Sequence, residues 1–220
     1  MEFSIKEETA ILENSKLPDL LGDLLDSVKM QYVIGEARYY HTWDHALATL
    51  SWVNWVNESV PAYAMAPFSR SDLCVAALYH DAVYTAQGSP GNEKASADLL
   101  EKQCHGKIAI ERPRELIMLT AEHGKIEAND DRLCDASRLF LDCDIASFGE
   151  PRWDIFLATN DDIEAELLAH HEEDVVKEGR LKFLKMMLNK ESIFLSDHFQ
   201  VRYEVQARYN IRRLIRLLSD

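Results

Sequence analysis

LCVAALYHDAVY, residues 73–84, is the stretch of sequence from which the fold can be read outward. It follows Ser71-Asp72, which is typical of a helix start, and its apolar residues recur at helical spacing on more than one side. A helix that is apolar on so many sides is predicted to be buried. The sequence therefore places a core helix here, with His80 and Tyr84 on one of its stripes.

The adjacent pair His80-Asp81, at the far end of this helix, is the first candidate for chemistry. A desolvated charge must be paired or must bind a metal, so an imidazole beside a carboxylate at a buried position needs a reason. One interpretation is structural, with the two side chains bonded only to each other or to nearby backbone. The other is a functional site, which needs further ligands from elsewhere in the chain.

Helical periodicity dominates the rest of the chain and strand alternation is almost absent, so we predict an all-α fold. Gly and Pro residues are few and mark the junctions between the predicted helices, as Gly35 does. We expect loops at 61–67 and 85–91. We expect helices at about 17–32, from His45 to about 57 and at about 131–148, and three or four more between 153 and 218. Two further helices are expected, one capped by Asn92 and one that begins with Pro113 at its first position and ends at about 124. Residues 1–220 are predicted to form one helical domain, with the helices from about 153 onward packed on its core.

Composition limits the partners. The formal net charge of −14 over 220 residues argues against a nucleic-acid polymer or an anionic membrane, since both need a basic surface. A small phosphorylated substrate is compatible with this charge, because a bound metal can supply positive charge locally. The sequence does not fix the oligomeric state, and a homo-oligomer is compatible with it.

The amino terminus is acidic and lacks an apolar signal segment, and no apolar run approaches membrane-spanning length. The four cysteines have no C-x-x-C spacing, and several lie in apolar helical stretches: Cys74, Cys104, Cys134 and Cys143. They are typical of reduced core thiols. We therefore predict a cytoplasmic protein.

Two histidines upstream supply further candidate ligands. His41 and His45 are four residues apart, so both can face the same side if their helix begins at or before Thr42. Because His45 opens a helix with an apolar stripe, its ring can point inward.

The last ligand is expected from LDCD, residues 141–144. Asp144 lies on the stripe of apolar residues that packs, whereas Asp142 shares its side with Arg138 four residues back, which is typical of an exposed ion pair. We therefore predict that Asp144 is the ligand and that Asp142 faces solvent or supports the site from outside.

The resulting donor set is His45, His80, Asp81 and Asp144. Two imidazoles and two carboxylates suit a divalent ion with open water positions, whereas a structural zinc site would carry thiolates. We expect the bound divalent ion to be Mn, Mg, Fe, Co, Ni or Zn. Open positions indicate catalysis, in which the ion activates water and binds an anionic oxygen of the substrate.

The order His45, then His80-Asp81, then Asp144 resembles the H…HD…D signature of the HD-domain metal-dependent phosphohydrolases, an all-helical superfamily. The resemblance implies an HD-domain helical bundle in which these four side chains hold the metal.

A second motif lies at residues 40–46. The string YHTWDHA is similar to the Y-H-N-x-x-H-A motif of cyclic-nucleotide phosphodiesterases, with Thr42 in place of the usual Asn. This resemblance implies that His41 protonates the leaving oxygen, a role that suits an imidazole near a dication.

A narrower resemblance, to a bacterial group of predicted HD-superfamily phosphohydrolases, covers most of the chain. It rests on Asn92-Glu93, Ser96-Ala97, Leu119-Thr120, His123, residues 142–145, Gly149, Gly179-Arg180, Glu204, Ala207, Arg208 and Asn210. Leu167 departs from it, since an aromatic residue is expected there.

Four of these side chains are candidates for roles beside the metal. Glu93 could orient the attacking water or act as a base, although a glutamate at a helix start is also common capping chemistry. His123 could contact a substrate phosphate or a second metal, or only the helix dipole. Arg180 and Arg208 could bind phosphate through their forked guanidinium groups, or only pair with the many acids of the chain.

The resemblance implies a phosphohydrolase that cleaves a phosphoester of a nucleotide or other small phosphorylated metabolite, as a phosphatase or a phosphodiesterase, with His41, Asp81 and Glu93 as catalytic residues. One alternative is a di-iron oxygenase of the HD fold, which needs more histidine ligands between the HD pair and the last aspartate, where only His105 and His123 lie. Another is a regulatory module that binds a metal or a nucleotide without catalysis.

Overall fold

The computed structural model describes residues 2–34, 38–85 and 91–219. Within these ranges it holds helices and turns but no strand, which confirms the prediction of an all-α fold. The α-helices are α1 (Ile5–Ser15), α2 (Leu17–Leu21), α3 (Leu24–Gln31), α4 (Trp43–Ser59), α5 (Arg70–Tyr79), α6 (Asn92–Cys104), α7 (Glu111–Thr120), α8 (Asp135–Asp144), α9 (Trp153–Leu168), α10 (Glu173–Asn189) and α11 (Asp197–Ser219). Gly35 and residues 86–90 of the expected loop lie outside the described residues.

The central helix α5 is buried, as its sequence predicts: every side chain from Leu73 to Tyr79 is at most 1% exposed. Its start was misplaced by the sequence pattern. The cap is Ser69, whose hydroxyl accepts from the backbone N–H of Asp72 while the Asp72 carboxylate accepts from the backbone N–H of Ser69. The helix ends at Tyr79, so Tyr84 lies beyond it.

The amino-terminal region differs from the expected single helix at 17–32. Gly22 adopts a backbone φ of +52°, a conformation open to glycine, and separates α2 from α3. A further helix, α1, precedes them. It begins with a capping box in which the side chains of Ser4 and Glu7 each bond the backbone of the other.

Two other helix bounds also differ from the sequence prediction. Pro113 lies at the third position of α7 and not at its first, which is tolerated because the first turn of a helix has backbone N–H groups without helical partners in any case. α8 is shorter than the expected 131–148: it begins at Asp135 and is followed by a 3-10 turn at Ala146–Gly149. The expected loop at 61–67 holds a second 3-10 turn, at Ala62–Met65.

The carboxyl-terminal region forms three helices, as expected. α11 contacts the 146–149 turn closely: a Cβ added at Gly149 would lie 2.8 Å from the Cβ of Tyr203, so only glycine fits there. The buried Asn210 donates from Nδ2 to the carbonyl oxygens of Phe148 and Glu150, at 2.9 and 2.8 Å. This joint fixes the end of α8 against α11.

One main cluster of buried apolar side chains extends from Leu12 in α1 to Leu214 in α11, with α4 and α5 packed together at its centre. The amino-terminal end of α4 and the carboxyl-terminal ends of α5 and α8 meet at one place beside this core. All four cysteines are free thiols, as predicted, and Cys134 alone is only partly buried. Of the helices described, none has the length and apolar character needed to cross a membrane.

Candidate metal centre

Four side chains converge where α4, α5 and α8 meet. They are the four that the sequence nominates as metal ligands: His45, His80, Asp81 and Asp144. Each offers one ligand atom, and these atoms all lie within 4.8 Å of one another. His45 comes from the first turn of α4, His80 caps α5, Asp81 follows it and Asp144 ends α8.

The distances define a tight group centred on the two Nε2 atoms. His80 Nε2 lies 3.0 Å from Asp81 Oδ2 and 3.1 Å from Asp144 Oδ1, while His45 Nε2 lies 3.0 Å from Asp144 Oδ1 and 3.5 Å from Asp81 Oδ2. The two Nε2 atoms are 3.2 Å apart. Nitrogen and oxygen ligand atoms thus face a common point from three segments of the chain.

The charges of this group are buried and mutually dependent. Burial alone would lower the pKa of His80, but the negative charges of Asp81 and Asp144 outweigh it and raise that pKa well above the ordinary value. Burial would likewise raise the pKa of each carboxyl group, yet chiefly the charge of His80 holds both well below the usual range. Burial also opposes protonation of His45, and the bonds to Asp144 and Asp81 raise its pKa. Both carboxylates are therefore ionised.

The donor set fits a divalent cation. Among the described residues no Lys or Arg pairs with Asp81 or Asp144, so only the imidazoles offset two buried negative charges. His80 Nδ1 lies 2.9 Å from the carbonyl oxygen of Ala77, which can only accept, so Nδ1 carries the hydrogen and the lone pair of Nε2 in the neutral ring faces the group. Buried carboxylates of this kind are paired or coordinate a metal.

His123 lies directly behind Asp144. Its Nε2 is 2.7 Å from Asp144 Oδ2, the carboxylate oxygen that does not bond His45 and His80. The histidine follows α7 in a turn, and it orients the carboxylate from the outside. The sequence left three alternatives for His123, which were contact with a substrate phosphate, a second metal or only the helix dipole. Its contact with the candidate ligand Asp144 is a placement that spacing did not indicate.

His41 lies beside the group, just before α4. Its Nδ1 is 2.5 Å from Oε1 of Glu166, and its ring stacks on Tyr84 with the centroids 3.8 Å apart. Its ring centroid lies 5.8 Å from that of His45. His41 is not on the helix, since α4 begins at Trp43 with Thr42 as its cap, yet it reaches the same region.

Glu166, on α9, is the main site residue that sequence reasoning missed. Its side chain is only 1% exposed, and Oε2 accepts the backbone N–H groups of Tyr39, Tyr40 and His41, each at 3.1 Å. Burial would raise the pKa of Glu166, but the bonds and charge of His41 and the backbone N–H groups outweigh it and lower that pKa to about 2. The chain has many glutamates, and no motif or spacing distinguishes this one.

Arg38 was missed too. Its guanidinium donates to the carbonyl oxygens of Asp81 at 2.8 Å and Ala82 at 3.1 Å, and also to those of His41 and Gln31, each at 3.3 Å. Arg38 therefore joins the turn at Asp81 and Ala82 to the segment that carries His41. Its contacts are with backbone oxygens and not with the carboxylates of the group.

The segment after the HD pair is held by α6. Ser96 Oγ accepts from the backbone N–H of Val83 and donates to the Val83 carbonyl, at 3.0 and 3.2 Å. Asn92, expected to cap α6, is instead its first residue, and its amide bonds the backbone of Thr85. Glu93, predicted to be catalytic, makes no hydrogen bond or ion pair with any described residue, and the structure does not bring it into the group.

Arg180 and Arg208, predicted to bind phosphate, are occupied elsewhere. Arg180 is buried and bonds Glu164 and the carbonyl oxygen of Asn160. Arg208 bonds Glu204 at 2.7 Å and the carbonyl oxygens of residues 188, 190 and 191. Neither arginine contacts the candidate metal ligands, because the N–H groups of both guanidiniums bond acceptors in the carboxyl-terminal region.

The expectation that Asp142 faces solvent and pairs with Arg138 was wrong. Its side chain is fully buried and accepts from the backbone N–H of Leu195 at 2.7 Å and from the backbone N–H and hydroxyl of Ser196 at 2.8 and 2.6 Å. Burial raises the pKa of Asp142 to about 7, and these donors limit the rise. Arg138, its presumed partner, pairs with Asp135 and with backbone carbonyls.

The fold and the group together define an all-helical protein with a buried cluster of His and Asp side chains that could hold a metal ion. Neither the models of known protein families nor the curated proteins give a match to this chain.

Proposed function

We propose that this protein is a metal-dependent phosphohydrolase that uses His45, His80, Asp81 and Asp144 as its ligands. The observation that carries the proposal is the convergence of these four side chains within bonding reach of one point, next to an imidazole held by a buried carboxylate. The resemblance of the same residues to the H…HD…D signature gives the reaction class. A bound divalent ion would supply a Lewis acid for a phosphoryl oxygen and would lower the pKa of a water molecule.

His41 is the proposed general acid. Because Glu166 is ionised and can only accept, Nδ1 of His41 carries a hydrogen, and Nε2 is the atom that can hold and deliver a proton. The side chain is 21% exposed, so a leaving group can reach it. Glu166 thus positions His41 in two ways, through its ring and through the backbone N–H of the same residue.

Asp81 links the two parts of the proposed mechanism. It is a ligand of the cluster, and the charge of His41 contributes to the low pKa of its carboxyl group. Asp81 and Glu166 thus place two carboxylates next to the imidazole proposed as the general acid.

The test combines metal analysis with a screen of phosphomonoesters and phosphodiesters, on wild type and on His80→Ala and Asp144→Ala. We expect the wild type to bind a divalent ion and to hydrolyse at least one phosphoester, and both variants to lose metal and activity. The exposed His105, which is outside the group, provides a matched control, since His105→Ala should keep both. Wild-type metal content in both ligand variants would exclude the assignment.

The contact of His123 with Asp144 supports a second candidate, a di-iron oxygenase, because it places one more imidazole beside the group. That function needs two irons and oxygen consumption, neither of which a phosphohydrolase requires. Two irons per chain with loss of one in His123→Ala would favour the oxygenase, whereas phosphoester hydrolysis with a single ion would favour the hydrolase.

A further inference from the structure

A cavity of about 820 Å³ opens onto the candidate metal centre. His45 and Asp144 form part of its wall, and the remainder comes mainly from α4, the 146–149 turn and α9. Cavities of this size bind small molecules. A ligand whose phosphate lies at the metal centre would therefore place its remaining part here.

The two arginines of the wall already have partners within the protein. Arg152 bonds the Glu150 carboxylate at 2.8 Å, and Arg38 donates to backbone carbonyl oxygens. Each guanidinium among the described residues that line the cavity is therefore already bonded to a protein acceptor, and no lysine lines it. A chain of phosphates, or a second anionic group, would have to compete with these acceptors.

The acidic residues of the wall point to the opposite charge in the ligand. Asp44 accepts from the backbone N–H of Phe3, and Glu150 is paired with Arg152. Asp162, half-buried on α9, forms no hydrogen bond or ion pair with any described residue. Its carboxylate is thus an open acceptor in a cavity that already has excess negative charge.

The wall also offers apolar surface and one unused hydroxyl. The rings of Trp52 and Tyr203 lie 5.4 Å apart at 80° to each other, and both line the cavity. Thr49 lines it too. Its side chain is only 1% exposed, and its Oγ1 has no hydrogen-bond partner among the described residues. A buried hydroxyl without a partner costs free energy, which a polar atom of a ligand would recover.

We propose that the substrate is a phosphate monoester whose alcohol part carries no negative charge and is best recognised when it bears an amine. This inference rests on the proposed phosphohydrolase function, because it assumes that the phosphate lies at the metal centre. The amine would pair with Asp162, and the carbon skeleton would pack on Trp52 and Tyr203. Nucleoside triphosphates and phosphorylated carboxylic acids would be disfavoured by the unpaired Asp162 and by the excess negative charge of the wall.

The test uses phosphonates of equal length, which mimic the ester but cannot be hydrolysed at the C–P position. 3-Aminopropylphosphonate ends in an amine, butylphosphonate in a methyl group and 3-phosphonopropionate in a carboxylate. Calorimetry on the metal-loaded protein should give the tightest binding for the amine and the weakest for the carboxylate, with about a tenfold difference between them for one partly screened charge pair.

Two charge reversals on α9 form a matched pair. Asp162 lines the cavity, whereas its neighbour Asp161 is exposed and does not. Both Asp162→Lys and Asp161→Lys change the net charge equally, so a long-range effect would appear in both. We expect Asp162→Lys to reverse the order of the three phosphonates and Asp161→Lys to leave it unchanged.

The outcomes separate the two proposals. Equal binding of the three phosphonates, or the same shift in both variants, overturns the substrate class even if the protein hydrolyses phosphoesters. Binding of none of the three to the metal-loaded protein overturns both the substrate class and the phosphate site. The predicted order together with its reversal in Asp162→Lys alone supports the inference whether or not a good substrate is already known.

Discussion

Asp144 and Asp142 lie two residues apart at the end of α8, but they belong to two different regions. Asp144 meets imidazoles, at 3.0 Å from His45 and 2.7 Å from His123. Asp142 faces the turn before α11, where backbone N–H groups and the Ser196 hydroxyl donate to it. Both carboxylates are largely buried, so burial does not distinguish them. Their partners do: an imidazole can exchange a proton for a metal ion, whereas a backbone N–H cannot.

The largest effect should come from Asp144→Asn. The amide keeps the size of the side chain but removes its negative charge from the candidate metal centre. We expect the affinity for a divalent ion to fall by more than roughly 100-fold, since even residues that only orient a metal ligand contribute 10–100-fold. Isothermal titration calorimetry with Mn²⁺ and Zn²⁺ measures the affinity of the wild type and of the variant. An affinity equal to that of the wild type would show that the cluster is only a buried hydrogen-bond network.

Asp142→Asn should lower the stability and leave the candidate metal centre intact. The amide nitrogen would face a donor, so at least one buried N–H or O–H group would lose its acceptor. We expect the free energy of unfolding to fall by about 2–3 kcal/mol, measured by urea denaturation, with unchanged metal stoichiometry. Loss of metal in a folded Asp142→Asn protein would contradict the division between the two regions.

Glu166→Gln tests the positioning of His41. The glutamine oxygen can still accept the backbone N–H groups, but its amide donates towards Nδ1, so the hydrogen of His41 moves to Nε2. We expect the catalytic rate to fall about 10–100-fold with unchanged metal content. The loss should appear in kcat and not in KM, because the proposed metal and phosphate contacts stay intact. A kcat equal to that of the wild type would leave Glu166 with a structural role only.

The lowered pKa of Glu166 also predicts that the free energy of unfolding depends on pH. The pKa of Glu166 is about 2 in the fold and has an ordinary value of 4.5. Its contribution to stability is therefore complete above pH 4.5 and is lost as the pH falls towards 2. The loss should be on the order of 3 kcal/mol. Urea titrations of wild type and Glu166→Gln over this range should converge as the pH falls, and a constant difference would contradict the shift.

The smallest effect is expected for Arg208→Lys. The lysine keeps the charge near Glu204 but cannot reach all the carbonyl oxygens that the guanidinium bonds. We expect stability to fall by about 1 kcal/mol and activity to stay at the wild-type level. A rise in the KM for a phosphoester at unchanged stability would return Arg208 to the role of a phosphate ligand.

The sequence predicted the fold class and the four clustered side chains because both follow from local patterns. α5 is apolar on all sides, and the three segments with His and Asp lie at helix ends where a side chain can leave the core. Asp144 was separated from Asp142 by helical periodicity alone. The helix bounds were less accurate, since the caps at Ser4 and Ser69 and the break at Gly22 depend on a few local hydrogen bonds and one backbone angle.

What the sequence could not predict depends on contacts between distant segments. Glu166 is 125 residues from His41, and no spacing connects them. Arg180 and Arg208 have the fork that binds phosphate, and only the packing of the carboxyl-terminal helices shows that Glu164 and Glu204 already occupy it. The side of Asp142 was misjudged because the turn that covers it comes more than 50 residues later.

The full burial of α5 has a consequence for the persistence of the candidate metal centre. Amide hydrogens in a helix whose side chains from Leu73 to Tyr79 are at most 1% exposed should exchange with deuterated water only when the whole molecule opens. His80 and Asp81 follow this helix directly, so two of the four candidate donors are attached to a fully buried segment. Their backbone should therefore keep its position until global unfolding, while an ion bound there would exchange through the cavity that His45 and Asp144 line.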